Sequence, residues 1–466
     1  KFNDGQTWER TSIINGIFDF NSLTRKIIYR NKSNNLDQVS VEINFNNRDI
    51  YEKSNSIVNN IVELNHVGIN NEFNWEGIKE LEIYSTYEEL SNSHKMSINS
   101  KYEEKPIITP IADRYEPIDD RVITWDEYEE ILPVINSYDG VDVWIAGKSI
   151  EGRNMYAIQN TFPNQSEIQS ISKLITLRPT YIIGARVDAH ESSATSASLK
   201  FVEYLQNNQD LLKKVNVVLI PSENPDGAVR HSIYQKEHPN WAHHGARWNS
   251  YGFDTLRDSF ENPRFADTQA LNEVWKRWKP DVIEECHGCP SHEWTQPFSG
   301  YGSRSYPNWQ APIRAGGITT TPEAMIVPMA NTVFQEITEA CYEVEGYKEL
   351  SLLLMKRYNK YSGLEQYWGH PSYKGMTWRI TSGGDHRGWR ELQKKYPKIS
   401  SLVFTYEVSD STAQGEYMKL MVKAHFTPYV AVIKTLANTE LKIEKKMVYS
   451  KGKMWLRLKR KRPIIE

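Results

Sequence analysis

The run Tyr181-Ile182-Ile183-Gly184-Ala185-Arg186-Val187-Asp188-Ala189-His190-Glu191-Ser192-Ser193 decides how the chain is read. Its first five residues form a short run without polar alternation, which suits a strand covered on both faces. The run then turns polar, and Ser193 to Leu205 carries a helical pattern. A strand, a polar turn and a helix in succession are the unit of α/β layer structures. In open α/β sheets, the residues just beyond the carboxyl edge of the strands are where sites form.

Working outward, the same grammar repeats. Val141 to Ala146 and Asn154 to Gln159 read as strands joined by the turn-rich Gly147-Lys148-Ser149-Ile150-Glu151-Gly152-Arg153, and Val215 to Ile220, Asp281 to Cys286 and Leu402 to Glu407 read as further buried strands. Trp125 to Leu132 reads as an amphipathic helix that Pro133 ends or kinks. Before this region lies a different texture. Lys26 to Tyr29, Val39 to Phe45 and Lys79 to Tyr84 are short strand-like segments between Asn-rich and Ser-rich stretches, and Pro106, Pro110 and Pro117 mark a linker. The expected organisation is a small β-rich domain over 1–115, an α/β domain over 120–440 with a mixed, mostly parallel sheet, and a basic tail over 441–466 that reads as a solvated terminus.

Composition bounds the function. The 466 residues carry 56 Lys plus Arg against 59 Asp plus Glu, a formal charge of −3, so no overall basic field calls for nucleic acid, and no base-reading motif accompanies the basic tail. No apolar run is long enough to span a membrane. Lys1 to Arg10 shows no apolar signal core, which leaves a secreted or a cytoplasmic location open. Three cysteines, Cys286, Cys289 and Cys341, cannot supply a disulfide framework. Nothing here fixes the oligomeric state.

Three polar clusters stand at strand ends. In Asp188-Ala189-His190-Glu191 the two carboxylates, three apart on a turn entering a helix, point the same way and can converge on one cation. A third ligand is available in His287, directly after the strand ending at Cys286. Two carboxylates and an imidazole leave a coordination position open, as in catalytic zinc sites. Glu407, at the mouth of the Leu402 to Glu407 strand, is costly there unless paired or used, and a general base beside metal-bound water is such a use. Taken singly, Asp188 and Glu191 read as caps of the following helix, His287 as a core histidine and Glu407 as an ion-pair partner. His190-Glu191 is no zincin helix, since Ala194 stands where the second His is needed.

With these clusters in place, the sequence resembles the carboxypeptidase A-like zinc peptidases over roughly residues 120 to 440. The ordered matches are Thr124-Trp125-Asp126-Glu127-Tyr128, the Gly147 to Arg153 turn, the Asp188 cluster, Asn224-Pro225-Asp226-Gly227, Asn249-Ser250-Tyr251-Gly252-Phe253-Asp254, Cys286-His287-Gly288, Ser382-Gly383-Gly384 and Phe404-Thr405-Tyr406-Glu407. The resemblance implies a sheet with helices on both faces and one zinc ion. By it, Glu191 and His287 take the places of zinc ligands and Glu407 that of the catalytic glutamate. Asp188 stands where the family has His. Aspartate binds zinc through oxygen, but a second carboxylate makes other divalent ions more competitive.

The same resemblance makes Arg247 the arginine that polarises the scissile carbonyl and Arg257 the grip on a substrate carboxylate, without the family's neighbouring Asn. Arg379 replaces a family Tyr and adds positive charge to the pocket. The expected activity is metal-dependent hydrolysis of a peptide or small amide, with Glu407 as general base. Two rivals stand beside it: a catalytically inactive protein that binds peptide or glycan, and a deacylase of small N-acyl amino acids.

Overall fold

The computed structural model describes strand segments at 8–9, 24–31, 38–45, 80–87 and 90–97, and then residues 115–162, 170–237, 247–288, 317–353, 372–380, 388–410, 413–450 and 453–462. The chain divides into two compact units, one of Lys1–Ile111 with Gln165–Ile171, the other of Ala112–Asn164 and Ser172–Glu466. In the first unit β1 (Trp8–Glu9), β2 (Thr24–Asn31), β3 (Gln38–Phe45), β4 (Glu80–Tyr87) and β5 (Leu90–Ser97) form a five-stranded sheet in sequence order. β3 and β4 pair in parallel, the others antiparallel. Strand β5 has the sequence LSNSHKMS, too polar for its periodicity to be read without its partner.

The second unit is built on a nine-stranded sheet. Its strands are β6 (Val141–Lys148), β7 (Asn154–Asn160), β8 (Thr180–Ala185), β9 (Asn216–Ile220), β10 (Val282–Gly288), β11 (Gly317–Thr320), β12 (Ser372–Tyr373), β13 (Met376–Ile380) and β14 (Leu402–Val408). Across the sheet they run β12-β13-β11-β14-β10-β8-β9-β7-β6. The central strands β9, β8, β10 and β14 are parallel, and antiparallel strands join at both sides. Every residue of β8, β9 and β10 is buried, which explains their unalternating sequences.

Helices cover both faces. On one, Cys286 meets Tyr429 and Phe404 meets Phe334, so the helices Ser193–Asn207, Pro328–Tyr342 and Gly415–Ala437 pack there. On the other, Trp389 reaches Glu223, and Trp275 bonds Ser400, which places the helices Trp389–Lys395 and Ala266–Trp278. Because side chains alternate along a strand, Glu284 and Cys286 point to the first face while Glu285 and His287 point to the second.

Two expectations are corrected. Pro133 does not end the first helix, which runs Trp125–Asn136 with a capping box between Thr124 and Glu127. Proline sits in its last turns, where burial of Val134 and Ile135 holds the chain in helical form. Nor is the basic tail simply a solvated terminus. β15 (Ile443–Ser450) and β16 (Lys453–Arg460) pair as a hairpin, Arg460 is buried against Asp281, and Arg462 donates to the carbonyl of Lys279 at 2.8 Å. Asp281 also accepts from the backbone N–H of Thr180 at 2.9 Å, so this ion pair pins the hairpin to the starts of β8 and β10.

Glu284 is fully buried among apolar neighbours and accepts a hydrogen bond from the Tyr181 hydroxyl. Burial pushes its carboxyl up to about 8. Between its unfolded value near 4.5 and 8 the native state holds the extra proton, so the stability linked to this group is full in acid and lost as pH rises through 8. Glu284→Gln removes that slope. Urea unfolding at pH 5.5 and 7.5 is expected to show the variant gaining on the wild type by about 2 kcal/mol between the two.

Candidate metal centre

Parallel pairing sets the site. β8, β10 and β14 lie side by side with Cys286 opposite Ala185 and His287 opposite Glu407, so their carboxyl ends emerge together. Beyond β8 the chain bends sharply. Arg186 adopts φ +59, uncommon for a side chain of its size, and its buried guanidinium donates from Nε to the Ala189 carbonyl at 2.7 Å and from Nη1 to the Ile123 carbonyl at 3.3 Å. Asp188 to Glu191 then closes a turn through Glu191 N–H to Asp188 O at 2.9 Å. The helix that follows takes its first-turn cap from elsewhere: Asp410 accepts from both N–H and hydroxyl of Ser193 at 2.8 and 2.6 Å. Asp188 and Glu191 are thus not needed as caps.

Asp188, Glu191 and His287 converge, each buried, with one ligand atom apiece all within 4.8 Å of one another. His287 Nδ1 lies 3.0 Å from Glu191 Oε2 and 3.7 Å from Asp188 Oδ2. The shorter contact lacks the alignment of a hydrogen bond. Two carboxylates and one imidazole nitrogen thus face one another, which is a donor set that a divalent cation fits. Burial, and then the neighbouring Asp188 charge, raise the Glu191 carboxyl well above its usual range. Burial also raises Asp188, against the lowering effect of Arg247. His287 is pushed down by burial, but the facing Glu191 outweighs this and raises its affinity for a proton. The group holds negative charge at a cost that a bound cation removes.

Arg247 lies with Nη1 3.0 Å from Asp188 Oδ2 and Nη2 3.6 Å from Asp254 Oδ2. Asp254 also accepts from Arg257 Nε at 3.2 Å and caps the short Thr255–Arg257 turn through the Leu256 N–H. One carboxylate thereby holds both arginines singled out from sequence. Arg257 is largely exposed beside the site. Glu407 is half-buried on β14 in register with His287, and its side chain leaves the sheet on the same face. Arg379 lies on β13, but its side chain is outside the described residues, as is the Ser382-Gly383-Gly384 turn.

Several contributors escaped sequence reading. Asn224, matched above only as part of Asn-Pro-Asp-Gly, stands directly before the helix Pro225–Glu237. Its Oδ1 accepts the Gly227 N–H at 2.9 Å, while its Nδ2 donates to the carbonyls of Val187 at 3.2 Å and Arg247 at 3.1 Å. It ties the Asp188 loop to the Arg247 loop. Asp226 gathers the Gly147 to Arg153 turn by accepting from Ser149 Oγ at 2.6 Å, Glu151 N–H at 3.0 Å and Arg153 Nη1 at 2.8 Å. Glu223 and Glu285 are buried beneath the centre. Glu285 had one visible signal, an acid inside a buried strand, whereas Glu223 in Pro221-Ser222-Glu223-Asn224 had none. Burial raises Glu223 well above the usual range, whereas for Glu285 the upward push of burial is outweighed by His287 and its other partners.

A model of the zinc carboxypeptidase family matches residues 136–428, and the chain belongs to that family. Its members are zinc metallopeptidases, and the buried Asp188, Glu191 and His287 fit such an ion. A comparison with curated protein sequences finds no match. Among solved structures, the chain is similar to a metallo-carboxypeptidase from Burkholderia cenocepacia, at 13% identity and TM-score 0.44, over 67% of this chain and 68% of that one. It is also similar to the Pseudomonas aeruginosa metallo-carboxypeptidase in complex with (2-guanidinoethylmercapto)succinic acid, at 16% and 0.40 over 67% and 68%. Carboxypeptidase A from Helicoverpa armigera aligns at 11% and 0.43, over 74% of this chain and 83% of that one. No helix among the described residues is long and apolar enough to cross a membrane.

Asn224→Ala removes the tie between the two loops together with a helix cap. The expected loss is about 2 kcal/mol of stability by thermal unfolding, with weaker zinc binding by chelator competition, since Asp188 is then less well held.

Proposed function

We propose that the chain is a zinc-dependent peptidase of carboxypeptidase type, with the ion held by Asp188, Glu191 and His287 and with Glu407 as general base. The convergence of three buried ligand atoms within 4.8 Å at adjacent strand tips carries this reading. Zinc held there supplies a Lewis acid that polarises a carbonyl and acidifies water. Glu407, one strand from His287, takes the proton of the attacking water and delivers it to the leaving amine. Arg247 stands beside Asp188, where its second nitrogen can steady the developing oxyanion while its first offsets the Asp188 charge. Arg257, held by Asp254 and open to solvent, receives the substrate's terminal carboxylate.

An aspartate ligand in place of the family's histidine leaves one more negative charge on the site, and Arg247 at 3.0 Å offsets it. The family membership favours peptide hydrolysis over a catalytically inactive binding protein or a deacylase of small N-acyl amino acids. In this reading 120–440 is the catalytic domain and 1–115 an accessory domain.

Glu407→Gln should keep stoichiometric zinc by mass spectrometry or atomic absorption while hydrolysis of peptide substrates falls by about 10²–10⁴-fold. His287→Ala should lose the metal as well. Peptide hydrolysis by Glu407→Gln at the wild-type rate rejects the assignment of the base.

A further inference from the structure

His287 presents its two ring nitrogens to different partners. Nδ1 faces the Glu191 and Asp188 carboxylates, and Nε2 faces Glu285 Oε2 at 3.7 Å. Glu285 precedes His287 by two residues on β10, so both side chains leave the sheet on one face. The carboxylate is deeply buried, and its location is set from several sides. The Thr405 hydroxyl, on β14 opposite Glu285, donates to the same Oε2 at 3.0 Å. Arg390 approaches it with Nη2 at 3.9 Å. On the remaining side, Gly388 has φ +57, and a Cβ there would lie 2.8 Å from Glu285 Oε1. The backbone at 388 thus lies close to the carboxylate, where only a residue without a Cβ fits.

We propose that Glu285 is a positioning residue for His287: it holds the Nε2–H tautomer, so that the lone pair of Nδ1 is directed at the ion between Asp188 and Glu191. This rests on the metal-site reading given above. An approach of about 1 Å brings the 3.7 Å contact to hydrogen-bond length. A carboxylate behind a ligating histidine fixes the ring's orientation and raises its basicity, and loss of such a partner typically costs 10–100-fold in metal affinity. The demand is acute here, because only one of the three ligands is an imidazole and its ring has no other carboxylate on the Nε2 side among the described contacts.

The test uses the full chain, stripped of metal and titrated with zinc against a chromophoric chelator, together with nitrogen-15 NMR of labelled histidines, the His287 signal being assigned by its loss in His287→Ala. Zinc-loaded wild type is expected to hold His287 as the Nε2–H tautomer. Glu285→Gln is expected to mix the tautomers and weaken zinc binding by about 10–100-fold, with its circular dichroism unchanged. Thr405→Val, which leaves Glu285 in place without its hydroxyl donor, should weaken zinc binding less, and Thr405→Ser should restore it. An Nδ1–H tautomer in zinc-loaded wild type, or unchanged tautomer and zinc affinity in both Glu285→Gln and Thr405→Val, overturns the proposal. If wild type and His287→Ala bind zinc alike, the metal-site reading fails instead. The tautomer in metal-free protein then still decides whether Glu285 positions the ring.

Discussion

Two carboxylates and an imidazole brought together out of water are the constraint from which the rest of the site follows. Asp188 and Glu191 repel one another, and burial penalises the charge of each. Such a group persists only where positive charge is supplied nearby. Arg247 supplies part of it from one side, and the buried ligand atoms of Asp188, Glu191 and His287 leave a place that a cation can take. Buried glutamates continue beneath the centre: Glu285 keeps its charge through His287, Arg390 and Thr405, whereas Glu223 is driven toward its neutral form. The fold spends stability on this polar column, and the apolar packing of the central strands offsets the cost.

The sheet makes the arrangement possible. Parallel pairing of β8, β10 and β14 presents three carboxyl ends at one edge, and the in-register contact of His287 with Glu407 places ligand and base on neighbouring strands. Helices then close both faces of the sheet. The loops are tied to each other as well as to the sheet. Asn224 joins the Asp188 and Arg247 segments, Asp254 joins Arg247 and Arg257, and Asp226 gathers the turn after β6. Each tie is a buried side chain with several partners, which costs little entropy once the sheet has formed.

Much of the fold was legible because buried parallel strands leave a strong signature. Tyr181 to Ala185, Val215 to Ile220 and Leu402 to Glu407 lie within a residue or so of the observed strands. The hidden parts were those whose conformation depends on remote partners. Strand β5 is polar and pairs only because β4 lies beside it. Pro133 stays helical because its neighbours are buried, and the basic tail folds because Arg460 finds Asp281.

The sequence by itself determined the layer order, the strand tips and the acidic and imidazole groups at those tips, because hydrophobic runs and turn chemistry are local properties. It could not determine that Glu285 lies behind His287, that Asp254 shares two arginines, or that Asn224 spans two loops. Those pairings join residues far apart along the chain, or on the same strand face but dependent on what packs against it. Only the register of the sheet and the packing of the helices decide them, since direction and distance between side chains are set by the whole structure and by no single segment.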